Sequence, residues 1–145
     1  MRFPLAVVAL VGRMVVLLAA LMGVPLAFAW VLHDPAKPAF VTAMVITLSV
    51  GLVMSLATRR FRRELQARDG FVLVGLTWTL LPAFAALPLW LAVPGLSPTD
   101  AYFEAMSGLT ATGATVITGL DTLPLSVNVW RWWRSSPTWP RNRHR

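Results

Sequence analysis

The sequence predicts an all-α integral membrane protein with three transmembrane helices and one further short helix that re-enters the membrane. Three observations lead to this fold class. The chain of 145 residues is 57% hydrophobic and only 13% charged, with a mean hydropathy of +0.65, which is far more apolar than an ordinary soluble domain. Three apolar segments are long enough, or nearly so, to cross a bilayer. A fourth helical segment is short, capped at its start, and followed by a Thr/Gly-rich loop.

About 20 helical residues, each rising 1.5 Å, are needed to cross the hydrocarbon core of a membrane. The predicted spans, in chain order, are Met14 to Leu32, Pro38 to Ala57 and Phe71 to Val93. A shorter apolar stretch from Leu5 to Val11 precedes the first span, and Gly12 and Arg13 interrupt it. Because backbone polar groups in lipid have to be satisfied within the segment, each span is expected to be helical. Pro82 and Pro88 are expected to kink the third helix without ending it.

The start of the chain has an alternative interpretation as a secretory signal peptide. Arg2 precedes an apolar stretch, and Ala27-Phe28-Ala29 imitates an A-x-A cleavage site. Arg13 lies too far into the chain for a usual n-region, so we favour an uncleaved helix. Cleavage after Ala29 would leave Trp30 outside the cell, where the uncleaved helix also ends, so both interpretations give the same topology downstream.

The loops predict the orientation of the helices. Arginines crowd the link at residues 59–70, between the second and third spans, whereas His33 to Lys37 carries only one Lys and one Asp. By the positive-inside rule, the arginine-rich link and the N-terminus are cytoplasmic, and the third helix runs outward. We interpret the arginines as topology determinants with some contact to anionic lipid. They are Arg59, Arg60, Arg62, Arg63 and Arg68.

Composition argues against several classes of function. The chain has no cysteine, which excludes disulfides, thiolate metal sites and a Cys nucleophile. The acidic residues are scattered, and His33 and His144 are far apart, so no cluster suits a catalytic dyad or a bound metal cofactor. We therefore expect no enzyme activity and no cofactor. The net charge of +7 is concentrated in arginines near the C-terminus, so a nucleic-acid partner is not expected.

Residues Ser97 to Leu120 are predicted to dip back into the membrane from the outer face. Ser97 is a suitable N-cap, Pro98 fits the first helical position, and Asp100 is an acid in the manner of a capping box. The helix is expected to stop at Gly108 after roughly ten residues, which is too short to span. Its C-terminal end would point inward, where the negative end of the helix dipole favours a cation. Carbonyl groups in the loop that follows can then replace the hydration shell of K⁺.

The residues alone leave a second interpretation of this segment open. A Ser/Thr/Gly run after an amphipathic helix is also typical of a polar surface loop. If the segment after the helix is a surface loop, Glu104 is a solvated residue of that helix. If the segment re-enters the membrane, Glu104 lies at the outer vestibule or pairs within the protein, because an unpaired carboxylate at depth is costly. Gly113 allows backbone torsions that a Cβ resists, and Thr112 and Thr115 can bond neighbouring groups.

The chain resembles a known family from about Met14 to Arg131. The motifs that carry the resemblance are Arg68-Asp69-Gly70-Phe71, Ala86-Leu87-Pro88, the string TDAYFEAMSGLTATGAT from Thr99 to Thr115, Gly119-Leu120-Asp121 and Leu123-Pro124. They are similar to the N-terminal part of the TrkH-type potassium uptake proteins, which belong to the Trk/Ktr/HKT superfamily. The ordered string from Asp100 to Thr115 is the most specific part.

The resemblance implies a K⁺-translocating subunit with two extra N-terminal helices and four helix, pore-helix, helix repeats. In that arrangement, residues 1–58 are the extra helices, 71–96 the first helix of repeat 1, and 97–127 its pore helix, filter loop and outer segment. The chain would thus hold an incomplete first pore repeat, with one of four selectivity-filter loops. The filter positions, whose carbonyls would bind K⁺, are Thr110, Ala111, Thr112 and Gly113. Many relatives have Thr where this chain has Ala111. Because backbone carbonyls would bind the ion, this difference affects only a supporting side-chain hydroxyl.

The resemblance also implies a bacterial inner-membrane location and the partners of the transporter. These are K⁺, membrane lipid, a homodimer partner and a cytoplasmic nucleotide-binding regulatory subunit. The residues that would dock the regulatory subunit are not identifiable in this chain.

Residues 128–145 are expected to form an aberrant tail. The family continues into a second membrane helix with a Trp-x-Gly-Gly-like stretch, whereas this chain reads WWRSSPTWPRNRHR from Trp132 onward. An interfacial Trp/Arg tail and out-of-frame translation of GC-rich DNA both account for this departure. We favour the frameshift, because the composition changes abruptly, and we expect that the chain conducts no ions on its own.

Two functions from other classes stay open beside K⁺ uptake. One is a small non-transporting membrane protein that binds a partner through its helices, and the other is a membrane-surface interaction protein that acts through the Trp/Arg tail. Neither requires Thr112 and Gly113 after a short capped helix, so the filter string favours transport.

Overall fold

A computed structural model describes residues 5–58, 67–117 and 123–132, and all regular structure in these ranges is helical. The helices are α1 (Leu5–Leu21), α2 (Gly23–Val31), α3 (Lys37–Ala57), α4 (Ala67–Ala92), α5 (Pro98–Leu109) and α6 (Leu125–Trp132). Three segments are long and apolar enough to cross a membrane, namely Leu5–Val31, Lys37–Ala57 and Asp69–Ala92. The predicted all-α fold with three spans is therefore confirmed.

The first span begins at Leu5, not at the predicted Met14, because Gly12 and Arg13 do not interrupt the helix. Gly12 lies where α1 crosses α3. A Cβ atom on Gly12 would lie 2.9 Å from the Cβ of Met54 and 2.9 Å from the backbone nitrogen of Ser55. Gly12 thus lies at the close contact between α1 and α3. Arg13, the next residue, is exposed.

A short discontinuity separates α1 from α2 within this span. The amide of Met22 still donates to the Leu18 carbonyl at 3.1 Å, and the amide of Leu26 donates to the Met22 carbonyl at 3.2 Å. Pro25 has no N–H group to donate to the Leu21 carbonyl, so the helical ladder is interrupted there. The two helices together still form one 27-residue span.

Helix α4 begins at Ala67 and its membrane-spanning part at Asp69, both before the predicted Phe71. Asp69 lies in the first turn of α4, where a negative charge is favourable beside the positive end of the helix dipole. Arg68 is therefore part of α4, while the predicted topology arginines Arg59, Arg60, Arg62 and Arg63 lie outside the described residues. The helix continues through Pro82 and Pro88 to Ala92.

The helices pack around two apolar clusters. One cluster has buried members in α1, α3, α4, α5 and α6, and Leu26 of α2 packs against it. Its buried members include Leu18, Met22, Phe40, Leu89, Ala101, Ala105 and Val127. The other contains Val7, Val11 and Val15 of α1, with partly buried side chains of α3 and α4 packed against it. Large apolar side chains also cover the outside of the spans, such as Leu17 (62% exposed) and Phe71 (83% exposed). Exposed apolar surface of this kind suits contact with lipid better than contact with water.

Candidate functional site

The short helix α5 begins at a well-formed N-cap. Ser97 has extended backbone torsions (φ −73°, ψ 154°), and its Oγ accepts a hydrogen bond from the Asp100 amide at 3.1 Å. The Ser97 hydroxyl also donates to Oδ2 of Asp100 at 2.7 Å, and Pro98 is the first helical residue. The helix has 12 residues, so it is about 18 Å long and too short to cross a bilayer.

The end of α5 differs slightly from the prediction. The helix continues through Gly108 to Leu109, and the left-handed residue that ends it is Ala111 (φ 53°), not a glycine. The Ala111 amide donates to the Gly108 carbonyl at 3.1 Å, and the Thr112 amide donates to the Ser107 carbonyl at 3.0 Å. These two bonds form a Schellman motif. They close the helix without requiring a glycine at position 108.

Four consecutive residues after α5, at positions 110–113, are exposed. Among the residues that the structure describes, none donates a hydrogen bond to the backbone carbonyl of Thr110, Ala111, Thr112 or Gly113. The next carbonyl, that of Ala114, accepts a bond from the Ser107 hydroxyl at 2.7 Å. The run of available carbonyls therefore comprises these four residues, and it lies beside the negative end of the α5 dipole, a setting that favours a cation.

The side chains of this loop stiffen it from within. The Thr110 hydroxyl lies 2.7 Å from the Thr112 hydroxyl and donates to the Met106 carbonyl at 2.9 Å. Gly113 has a φ of 75°, a region that L-residues other than glycine rarely adopt. Within the described ranges, no group of three or more His, Cys, Asp or Glu side chains is placed to hold a metal ion. The backbone carbonyls of the loop are oxygen atoms of the kind that can bind a monovalent cation.

Glu104 of α5 is central to the site, although the sequence left its role open. Its side chain is fully buried, and its Oε1 accepts hydrogen bonds from the Thr115 hydroxyl at 2.5 Å and from the amides of Val116 at 2.7 Å and Ile117 at 3.3 Å. Its Oε2 lies 3.7 Å from Nε of Arg131 on α6. Glu104 is therefore paired within the protein. Its position among apolar residues of a short helix was the only sequence signal for burial.

Helix α6 contributes side chains to the same region. Arg131 is 11% exposed, and its guanidinium also donates to the Thr115 hydroxyl at 3.2 Å. Nε1 of Trp130 donates to the Ala85 carbonyl of α4 at 3.1 Å, and the Trp130 ring meets Phe40 edge to face, with centroids 6.5 Å apart. The predicted boundary between residues 127 and 128 thus falls inside a packed helix. The predicted tail beyond Trp132 lies outside the described residues.

Comparison with known proteins places this site in a family. The sequence pattern of the family described as "TrkH: Cation transport protein" matches residues 36–136. The chain belongs to this TrkH family. It is similar to the "Trk system potassium uptake protein TrkH" of Halomonas elongata, with 43% identity over 123 residues, and to that of Salmonella typhimurium, with 39% identity over 127 residues. The aligned parts cover 84% and 87% of this chain.

A solved structure shows the same fold. The crystal structure of the potassium transporter TrkH from Vibrio parahaemolyticus matches with a TM-score of 0.82 and 39% sequence identity, over 92% of this chain and 29% of that chain. The chain spans about a quarter of the length of the relatives it matches, 26% for both sequences above. Together with the three apolar spans, the likeness identifies this TrkH-family chain as a multi-pass membrane protein.

Asp34 ties the first helices of this TrkH-family chain to α6. Its Oδ1 accepts a bond from the Ala36 amide at 2.9 Å, while its Oδ2 accepts bonds from the Ser126 amide at 2.9 Å and hydroxyl at 2.8 Å. Burial alone would raise the pKa of Asp34, but these hydrogen bonds, together with the positive charge of Lys37, hold the pKa below its usual range. The carboxylate therefore links the connection between α2 and α3 to the first turn of α6.

A cavity of about 770 Å³ lies between α1, α2, α4, α5 and α6, and Gly108 and Leu109 at the end of α5 are among the residues that line it. Apolar side chains such as Leu18, Phe28 and Leu81 form most of its lining. Glu104 and Arg131 are the charged residues among those that line it. The buried ion pair thus borders an apolar space, where electrostatic interactions are stronger than in water.

Proposed function

We propose that this chain supplies one selectivity-filter loop to a transporter that takes up K⁺ across a bacterial cell membrane. The observation that carries the proposal is the run of four exposed residues, Thr110 to Gly113, whose backbone carbonyls accept no hydrogen bond from a described donor. Oxygen atoms of this kind can replace the water around a monovalent cation. The names of the relatives, which are potassium uptake proteins, support K⁺ as the ion.

The helix α5 supports the loop in two ways. Its C-terminal end carries a partial negative charge that lowers the energy of a cation beside the carbonyls. Its last turn holds the loop through the Schellman bonds and through the Ser107 hydroxyl. Ions then pass without any covalent step, so the proposed activity is transport and not enzyme catalysis.

The proposed transporter is larger than this chain. Because the chain spans 26% of the matched relatives, three further loops would complete the filter, and the chain alone would not conduct. We place the N-terminus in the cytoplasm, on the basis of the arginines at residues 59–68. A homodimer partner and a cytoplasmic nucleotide-binding subunit complete the proposed assembly.

The proposal is tested in a chimera in which this chain's residues replace the matched segment of the Halomonas elongata protein. The chimera is expressed in a bacterium that lacks K⁺ uptake systems, and growth at low K⁺ and uptake of K⁺ and Na⁺ are measured. Gly113→Ala is the test variant and Gly95→Ala is its matched control. Both glycines have positive φ values, 75° and 78°, and an added Cβ meets nothing within 4 Å at either position.

The two substitutions carry a similar backbone penalty, about 1 to 2 kcal/mol for a left-handed residue with a Cβ. Only Gly113 belongs to the proposed filter. We expect the unsubstituted chimera to restore growth, Gly113→Ala to abolish K⁺ uptake or its selectivity over Na⁺, and Gly95→Ala to keep both. Failure of the unsubstituted chimera to take up K⁺, or equal effects of the two substitutions, would contradict the proposal.

A further inference from the structure

We infer that Glu104 and Arg131 are positioning residues that hold the far end of the filter loop in place. The inference rests on the proposed function, because it assigns these residues to the filter of that transporter. Neither residue contributes one of the four available carbonyls, so they act on the ion only through the loop. Together with Thr115, they connect α5, the loop and α6.

The Glu104 carboxylate anchors the loop mainly by bonding to backbone amides of the loop. Two of the three donors to Oε1 are main-chain amides, those of Val116 and Ile117, so the anchor fixes the path of the chain whatever side chains stand there. The third donor is the Thr115 hydroxyl, which also accepts a bond from the Ile117 amide at 3.2 Å. Bonds to a carboxylate are stronger than those to a neutral acceptor.

Arg131 provides the charge that a buried carboxylate needs. A buried ion without a partner is strongly unfavourable, whereas a paired ion with its hydrogen bonds made is tolerated. The guanidinium lies 3.7 Å from Oε2 of Glu104 and donates to the Thr115 hydroxyl at 3.2 Å. Because Arg131 belongs to α6, the anchor extends from the pore helix to the following helix of the chain.

The four carbonyls are therefore held between two anchors on the same helix. The first is the Schellman motif at Ser107 and Gly108, and the second is Glu104. Between them, the Ser107 hydroxyl holds the Ala114 carbonyl. Loss of the second anchor would let Gly113 and its neighbours move away from the ion path. We therefore expect discrimination between K⁺ and Na⁺ to weaken more than total uptake does.

Amide hydrogen exchange in the 145-residue chain, reconstituted in lipid nanodiscs and followed by NMR, tests the anchor without requiring transport. Glu104→Ala removes the acceptor and Glu104→Gln keeps one oxygen without the charge. Asp100→Ala, which removes another acid of α5 with different partners, is the control. We expect Glu104→Ala to speed exchange of the Val116 and Ile117 amides by about tenfold or more, as for a lost bond to a charged group, with a smaller change for Glu104→Gln.

The control should leave the Val116 and Ile117 amides as protected as they are in the unsubstituted chain. If Glu104→Ala does not fold, Glu104→Gln and Arg131→Ala decide the question on the same two amides. Unchanged protection of both amides in the folded Glu104 variants would overturn the inference. Equal loss of protection in Asp100→Ala would overturn it as well, because the anchor would then not be specific to Glu104.

The chimera provides the functional readout for Glu104 and Arg131. Arg131→Ala is expected to lower K⁺ over Na⁺ discrimination severalfold, and Arg131→Lys, which keeps the charge, is expected to restore part of it. If Arg131→Ala leaves discrimination unchanged, the positioning role is overturned even though K⁺ uptake stands. If the unsubstituted chimera takes up no K⁺, the proposed function fails, while the two amides still decide whether Glu104 anchors the loop.

Discussion

The crossing of α1 and α3 gives the sharpest prediction about stability. Gly12 and Gly51 lie at this crossing and approach each other's helices. A Cβ on Gly51 would lie 2.9 Å from the backbone nitrogen of Val16 and 2.9 Å from its Cγ2 atom. Because backbone atoms are among the nearest neighbours at both sites, a small side-chain rotation cannot relieve the clash. Gly12→Ala and Gly51→Ala therefore have to separate the two helices.

The expected magnitude is the difference of two effects. Overpacking of a close contact costs about 1 to 3 kcal/mol, and replacement of a helical glycine by alanine returns about 0.5 to 1 kcal/mol. We therefore expect each variant to lose up to about 2.5 kcal/mol of unfolding free energy, with a central value of about 1 kcal/mol. The double variant should lose less than the sum, because both substitutions open the same crossing and sites in contact are not additive.

The assay is equilibrium unfolding in mixed detergent micelles, followed by tryptophan fluorescence. Gly75→Ala is the matched control, because Gly75 lies inside α4 and an added Cβ meets nothing within 4 Å there. It should be neutral or stabilising by up to about 1 kcal/mol. If Gly12→Ala proves as stable as Gly75→Ala, the close approach of α1 and α3 is refuted.

Two further predictions concern Asp34, between α2 and α3, and Ala111, in the loop after α5. Asp34→Asn removes the charged acceptor of Ser126, so we expect a loss of about 1.5 to 3 kcal/mol at neutral pH. Because the folded pKa of Asp34 lies below the ordinary 3.8, its stabilisation is present above that value and is lost as pH falls through the folded pKa. Unfolding between pH 7 and 3 should therefore depend less on pH in Asp34→Asn, and an unchanged pH profile would contradict this. Ala111→Gly relieves the strain of the left-handed backbone at Ala111 and should raise the unfolding free energy by up to about 1 kcal/mol. The measurement is unfolding in the same micelles, and a lower stability would contradict the positive φ of Ala111.

The spans and the start of α5 were predictable because their causes are local. Long apolar segments in a charge-poor chain indicate membrane helices, and Ser97 followed by Pro98 and Asp100 indicates a capped helix start. The beginning of α1 was not predictable in the same way. Gly12 and Arg13 resemble a helix break when α1 is considered alone, and only the packing of Gly12 against α3 explains why the helix continues.

The pairs that hold the site together were not predictable, since they join residues far apart in the chain. Asp34 bonds to Ser126, and Glu104 bonds to the loop and to Arg131. Neither helical periodicity nor a short motif connects such positions. The resemblance predicted the filter residues but left the role of Glu104 open, because two of its partners, the amides of Val116 and Ile117, are backbone groups that carry no sequence signal.

The proposed function requires the carbonyls of Thr110, Ala111, Thr112 and Gly113 to bind a monovalent cation. The most direct test is the crystal structure of the chimera grown with Rb⁺, a heavier substitute for K⁺, with anomalous diffraction measured at the rubidium edge. We predict anomalous peaks within coordination distance of these carbonyl oxygens. Peaks confined to other places, with none beside the four carbonyls, would contradict the assignment of this loop as a potassium filter.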